Sequence, residues 1–363
     1  MSAESTSLNE KSRRRAGKII FWLRTYWLLG VMLAVTSLVP SGSTAQAGAV
    51  PDRNVWKAQY HRPKDIPFPQ DDPYSEAKAE LGRMLFFDPI VSGSGTHSCA
   101  SCHNPALSWA DGLAKAVGEK TLTLRTPTIQ NVAWGVIFGW DGKFRTLERV
   151  PFEGPIVGAG NMNRKEGDLI AVLAAIPGYR KAFADAFPSD GALTRRNIEL
   201  ALATFERTIV SAKAPFDRWI EGDEKAIDES AKRGFDLFNG KAGCAECHSG
   251  WNFTDGSFYD IGTARGGDIG RARLFPNSVK LRYAFKVPTL RDVARRAPYM
   301  HDGSEPTLEA VVDLYDRGGI DRPSRSELIK PLGLTAREKA DLVAFMKTLS
   351  GDPSAVEVPT LPR

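Results

Sequence analysis

A chain of 363 residues, 42% apolar and 25% charged, is long enough for two domains with cores of their own and has the composition of a folded globular protein. The formal charge of +5 gathers at the start: residues 1–47 hold six Lys/Arg and two Asp/Glu, leaving 42 basic against 41 acidic residues. That balance leaves no basic stripe and excludes nucleic acid as a partner.

The chain opens with Lys11, Arg13, Arg14, Arg15 and Lys18, followed by an apolar run cleanest from Tyr26 to Val39, then Pro40 and the A-x-A triplet Ala45-Gln46-Ala47. Residues 1–47 therefore read as a cleaved export signal, which places the mature protein in the periplasm. An uncleaved anchor over Ile19–Val39 is the alternative, but Arg24 interrupts it and is costly in a bilayer. No later stretch is long and apolar enough to cross a membrane, so no stable span is expected after signal cleavage. Residues 48–73, polar and rich in proline, are expected to form an extended lead.

Glu76 to Phe86 carries apolar residues at helical spacing and ends just ahead of Cys99-Ala-Ser-Cys-His103. Further on, Thr194 to Val210 is a long amphipathic pattern with Thr194 as N-cap. A domain boundary is expected near Ala214–Asp228, giving a first domain over 74–220 and a second over 221–352, with 353–363 as a tail. Glu229 to Phe238 repeats the helical pattern ahead of Cys244-Ala-Glu-Cys-His248, and Thr335 to Leu349 is a last helix stopped at Ser350-Gly351. Strand signals are few, so the expected class is mainly α, with two tandem domains of similar plan.

The cysteines carry the chemical signal. All four lie in two copies of C-x-x-C-H, and two of the five histidines directly follow them. In this motif both thiols add to haem vinyl groups, and the adjacent histidine reaches the iron as proximal ligand. A single zinc site would need to join pairs more than a hundred residues apart and would leave the histidines unexplained; a thioredoxin-like dithiol lacks its βαβ surroundings. Cys99, Cys102, Cys244 and Cys247 are therefore the attachment residues and His103 and His248 the iron ligands, so the expected fold is two tandem cytochrome c-like domains, each with one covalent haem.

A wider repeat surrounds the motifs. Pro127 to Glu148 aligns without gaps to Pro288 to Glu309, with Pro-Thr, Val-Ala, Asp-Gly and Thr-Leu-Glu in register. The halves differ where chemistry is decided, since an electron-carrying haem takes a strong sixth ligand and one that reacts with peroxide keeps that position open. The repeat sets Tyr315 against Gly154, which has no side chain, and suggests one closed and one open iron; a core tyrosine is the alternative. Met162 is the only methionine between His103 and His248 and could cap the first iron. Met300, His301 and Met346 are further candidates in the second half, with Met346 read as core. The repeat also sets Trp140 against His301: Trp140 is either a structural aromatic or a π-system between the haems, and His301 a buried histidine on a carbonyl or propionate.

These residues resemble the bacterial di-haem cytochrome c peroxidase family, including its MauG-like branch. The resemblance is carried by Leu81-Gly-Arg-Met-Leu-Phe-Phe-Asp88, both C-x-x-C-H motifs, Arg125-Thr-Pro-Thr128, Trp140-Asp-Gly142, Phe285-Lys-Val-Pro-Thr-Leu-Arg291 and Pro298-Tyr-Met-His-Asp-Gly303. It implies that hydrogen peroxide reacts at the N-terminal haem and that electrons pass through the C-terminal haem, with Trp140 between them. They would come from a small periplasmic cytochrome or cupredoxin, or from a partner protein as substrate. A non-enzymatic di-haem electron carrier is the alternative. The resemblance further implies Tyr315 as sixth ligand of the C-terminal haem, as in the MauG-like branch. It departs from the family in lacking a capping histidine between His103 and His248 and in reading Asn161-Met162 where the family has its distal glutamate. Glu153, or Glu166, is the substitute acid/base expected here. Arg125 stands where the family has an asparagine beside an interdomain calcium ion, which makes that calcium doubtful.

Overall fold

The computed structural model describes residues 53–189, 191–353 and 355–362. The export signal expected over 1–47 lies outside them. The fold is mainly helical, with one two-stranded antiparallel ribbon, β1 (Phe258–Tyr259) paired to β2 (Phe285–Lys286).

Each half is built on one crossed helix pair. In the first, α2 (Glu76–Phe87) packs on α7 (Arg195–Arg207); in the second, α9 (Glu229–Asn239) packs on α11 (Ala336–Lys347). Between α2 and α7 come α3 (Cys99–Cys102), α4 (Val150–Glu153), α5 (Glu166–Ala175) and α6 (Pro177–Ala186); α8 (Pro215–Ile220) joins the halves and α10 (Leu308–Arg317) precedes α11. The long helices start where side-chain caps allow. Ser75, Thr194, Asp228 and Thr335 each accept a bond from the backbone N–H three residues on, and Glu338 closes a capping box at Thr335.

The two crossings are the same device used twice. Gly82 lies against the Ala201 carbonyl and the Phe205 Cβ, and Gly234 against the Asp341 carbonyl and the Phe345 Cβ. A Cβ at either glycine would overlap a backbone carbonyl, so only glycine lets these axes approach so closely. The crossings therefore match Phe205 with Phe345 and Glu206 with Met346.

Two apolar clusters form the cores, one per half. The chain ends are exchanged between them. The lead expected to be extended over 48–73 holds α1 (Arg53–Lys57) and a 3-10 turn at Ala58–Tyr60, and Trp56 and Tyr60 are buried in the second core. Arg53 pairs with Asp236 and Tyr60 bonds Asn239 at 2.8 Å, so burial of two large aromatics overrides the local proline signal. In the opposite sense, Val356 packs on the first core and the Glu357 carbonyl accepts from Arg83 at 2.9 Å. No helix among the described residues is long and apolar enough to cross a membrane.

Candidate di-haem site

One cavity of about 1320 Å³ runs along the junction of the halves and is lined by both C-x-x-C-H motifs. It exceeds the roughly 300–1,000 Å³ of a single small-molecule pocket. A one-turn helix presents Cys99 and Cys102, capped by Ser98 and Ser101, and a 3-10 turn over Cys244–Glu246 presents the second pair. Residues three apart on such a turn share a face, as attachment to two vinyl groups of one ring requires. All four cysteines are free thiols, and burial pushes each above its usual range.

Each histidine behind a motif is oriented by a backbone carbonyl. His103 donates from Nδ1 to Trp109 O at 3.2 Å, and His248 from Nδ1 to Phe253 O at 2.9 Å. Both acceptors have left-handed backbone, φ 60° and 52°, which turns their carbonyls to the ring. The Pro127 and Pro288 carbonyls, matched by the repeat, are further acceptors. Nδ1 is thus fixed as donor, Nε2 is left free, and burial holds both rings neutral, the form that ligates iron.

The sixth-position residues differ as the repeat anticipates. Tyr315 on α10 lines the cavity, and its hydroxyl has no hydrogen-bond partner among the described residues. Burial raises this phenol, with the Cys244 and Cys247 thiols as the nearest interacting groups. In the first half Gly154 also lines the cavity, and a Cβ there would stand 2.7 Å from the Phe144 ring and 3.0 Å from Val150 O. Met162 lines the cavity as a buried member of the first core, and Met346 does so from the second.

Trp140 is half-buried and held from three sides. Its Nε1 donates to Arg125 O at 2.9 Å, its carbonyl accepts from Lys286 N at 2.8 Å, and its ring meets His301 at 6.5 Å. The His301 ring is buried, as expected, and its partner among the described residues is a carboxylate rather than a backbone carbonyl. Its Nε2 lies 2.7 Å from Asp268 Oδ2, and its ring stacks on Phe285 at 3.6 Å. Asp268 is brought there by the loop between the ribbon strands, which sequence spacing did not reveal.

Glu153 lines the cavity but its carboxylate is tied to Arg149 one turn earlier on the chain. Glu166 pairs with Arg195 at 3.1 Å and is not in the cavity wall. Asn161 lines the cavity beside Met162.

Two features escaped the sequence. Arg125, Lys286 and Arg296 line the cavity around Trp140, none makes an ion pair among the described residues, and burial lowers all three. Arg125 Nε and Arg296 Nη1 are buried without acceptors. Unpaired buried cations call for anions, and two haems bring propionates, so the lining fits the cofactor. The second feature is Glu206, a carboxylate in the apolar stripe of α7 that faces the same cavity.

Residues 76–225 match the family described as di-haem cytochrome c peroxidase, and residues 231–350 match cytochrome c. The chain is 48% identical to the methylamine utilization protein MauG of Methylorubrum extorquens, over 92% of this chain and 95% of that protein. It is 35% identical to the cytochrome c551 peroxidase of Nitrosomonas europaea, over 80% of this chain and 85% of that protein. Among solved structures, a MauG-like protein associated with microbial copper homeostasis superposes with a TM-score of 0.74 at 32% identity, covering 80% of this chain and 94% of that one. With its two motifs, cavity and helix crossings, the chain belongs to the di-haem cytochrome c peroxidase family, and it is an oxidoreductase carrying two covalently bound c-type haems.

Proposed function

We propose that the protein is exported to the periplasm and uses hydrogen peroxide at its N-terminal haem, with electrons entering through the C-terminal one. The asymmetry between Tyr315 and Gly154 carries this reading. When bound, haem supplies redox-active iron that exchanges single electrons and reacts with peroxide where a coordination position is open. His103 and His248 would hold the two irons, with Nδ1 of each tied to a backbone carbonyl so that Nε2 is left for the metal. Tyr315 would hold the C-terminal iron through its phenol oxygen, which as an anion would favour the higher oxidation state. Gly154 offers no atom to do the same in the first half.

Trp140 bridges the halves, and Arg125, Lys286 and Arg296 would hold haem propionates around it. Glu153 moves a proton only after its pair with Arg149 opens, so peroxide turnover depends on that opening. The electron source is a small cytochrome or cupredoxin or, as the resemblance to the MauG-like branch implies, the residues of a partner protein.

The test is the absorption and EPR spectrum of the oxidised holoprotein before and after one equivalent of hydrogen peroxide. One high-spin and one low-spin ferric signal are expected, the former lost on addition. Two low-spin signals unmoved by peroxide would overturn the reading and leave an electron carrier.

A further inference from the structure

Glu206 has an unusual setting for a carboxylate. It lies on α7 one residue past Phe205, at the place that Met346 takes on α11. It is only 8% exposed, it lines the cavity that holds the first haem motif, and its carboxyl makes no hydrogen bond among the described residues. Among the described residues the one cation acting on it is Arg207, and that guanidinium is already bonded to Glu148 at 2.5 Å. Glu148 and Arg207 are themselves buried. The third titratable neighbour is Cys99 on α3, which loses its titration once it is a thioether. On α4, the nearby Glu153 is neutralised by Arg149.

Two carboxyls therefore share one guanidinium in a dry place. Ionising both would leave a net negative charge without a partner, so one keeps its proton. The hydrogen-bonded partner of Arg207 is Glu148, which is held below the usual carboxylate range chiefly by bonds that outweigh its burial, while Glu206 is pushed up to about 8 by burial and by Glu148. The proton sits beside the Cys99 thioether, in the half whose haem accepts peroxide in the reading above.

We infer that Glu206 is the proton-coupled group of the N-terminal haem: at alkaline pH, where it is ionised beside the ferric haem, it takes up one proton from solvent when that haem gains one electron and returns it when the electron leaves. The electron comes from a one-electron reductant, the protein's donor or an electrode mediator; ferric iron becomes ferrous as carboxylate becomes carboxylic acid, so the buried charge of the site is unchanged. The second half, with Met346 in this place, has no such group. The inference rests on haem attachment at Cys99 and Cys102, not on peroxide chemistry.

The experiment is a spectroelectrochemical titration of the holoprotein from pH 6 to pH 10, for wild type, E206Q, E206M and E148Q. In wild type one of the two midpoint potentials should fall at alkaline pH, approaching a tenfold change in equilibrium constant per pH unit, or 59 mV for one electron. That dependence should vanish in E206Q with the other potential unchanged, and in E148Q, which frees Arg207 for Glu206, its onset should move to lower pH. E206M installs the residue of the second half and gives the same result if E206Q does not fold. A slope retained in either Glu206 variant, or one left at its wild-type pH in E148Q, overturns the assignment. EPR of the same samples reports separately on the open iron: two low-spin centres defeat the peroxide reading while the potentials still decide the role of Glu206.

Discussion

Trp140 and His301 occupy equivalent positions of the two repeated segments and meet edge to face, 6.5 Å apart, where the halves join. The contact is framed by backbone. Arg125 N donates to His301 O at 3.0 Å, while Arg125 O accepts from the Trp140 indole at 2.9 Å. One residue of the first half thus ties the indole to the histidine of the second. W140F keeps a ring at this place and removes the indole donor, at a stability cost of about 1 kcal/mol. The spectra of both haems should be unchanged, while electron exchange between them slows. Stopped-flow reduction by a single-electron donor checks this; unaltered exchange in a folded W140F protein would remove Trp140 from the path.

Tyr315 should be separable from Trp140 by spectroscopy. Its hydroxyl has no partner among the described residues and the side chain lines the cavity, so Y315F deletes the proposed ligand atom and no protein hydrogen bond. The low-spin signal of the C-terminal haem should be lost, and its potential should rise because an anionic oxygen no longer stabilises the ferric state. Stability measured by denaturant should stay within about 1 kcal/mol of wild type, since the phenyl ring still packs. A retained low-spin spectrum would mean that another side chain closes this iron.

How much of this was legible in the sequence follows from where each interaction lives. The motifs, the four long helices and the Tyr315–Gly154 contrast are local or repeat in register, and spacing alone exposes them. The helix bounds expected at Thr194 and Thr335 agree with the structure at their caps, while α7 stops at Arg207 rather than continuing to Val210. The rest depends on contacts between distant segments. Trp56 and Tyr60 look like part of a polar lead until the second core receives them. Asp268 lies 33 residues from His301, and no period links them. Glu206 was hidden by its neighbours: an acid followed by an arginine in a helix reads as surface polarity, and only the crossing with α2 buries it.

The paired glycines give a test of the duplication itself. G82A and G234A each place a methyl group into a backbone carbonyl of the partner helix, which cannot move aside as a side-chain tip could. Each should destabilise by about 1–3 kcal/mol, the range for overpacking. The cost should be similar in both halves because the neighbours are equivalent, Ala201 with Phe205 and Asp341 with Phe345. Chemical denaturation of the two holoproteins measures it. A cost confined to one half would show that only one crossing is tight in solution.

Glu206 also makes a prediction for stability that needs no electrochemistry. Its carboxyl titrates near 8 in the folded chain, above the ordinary carboxylate value of about 4.5. Below the ordinary value both states are protonated and the residue contributes nothing. As pH rises past it, the unfolded chain releases the proton and the folded chain keeps it, so folding is progressively penalised until the folded group itself ionises. Each unit of difference is worth about 1.4 kcal/mol, which makes the full penalty several kcal/mol. E206Q, neutral in both states, escapes it. Wild type and E206Q should therefore be equally sensitive to acid below about pH 4.5 and diverge between there and pH 8, with E206Q the more stable at the alkaline end. Denaturant midpoints across this range read the difference directly. Parallel curves would mean that Glu206 is solvated or paired in solution and carries no proton of its own.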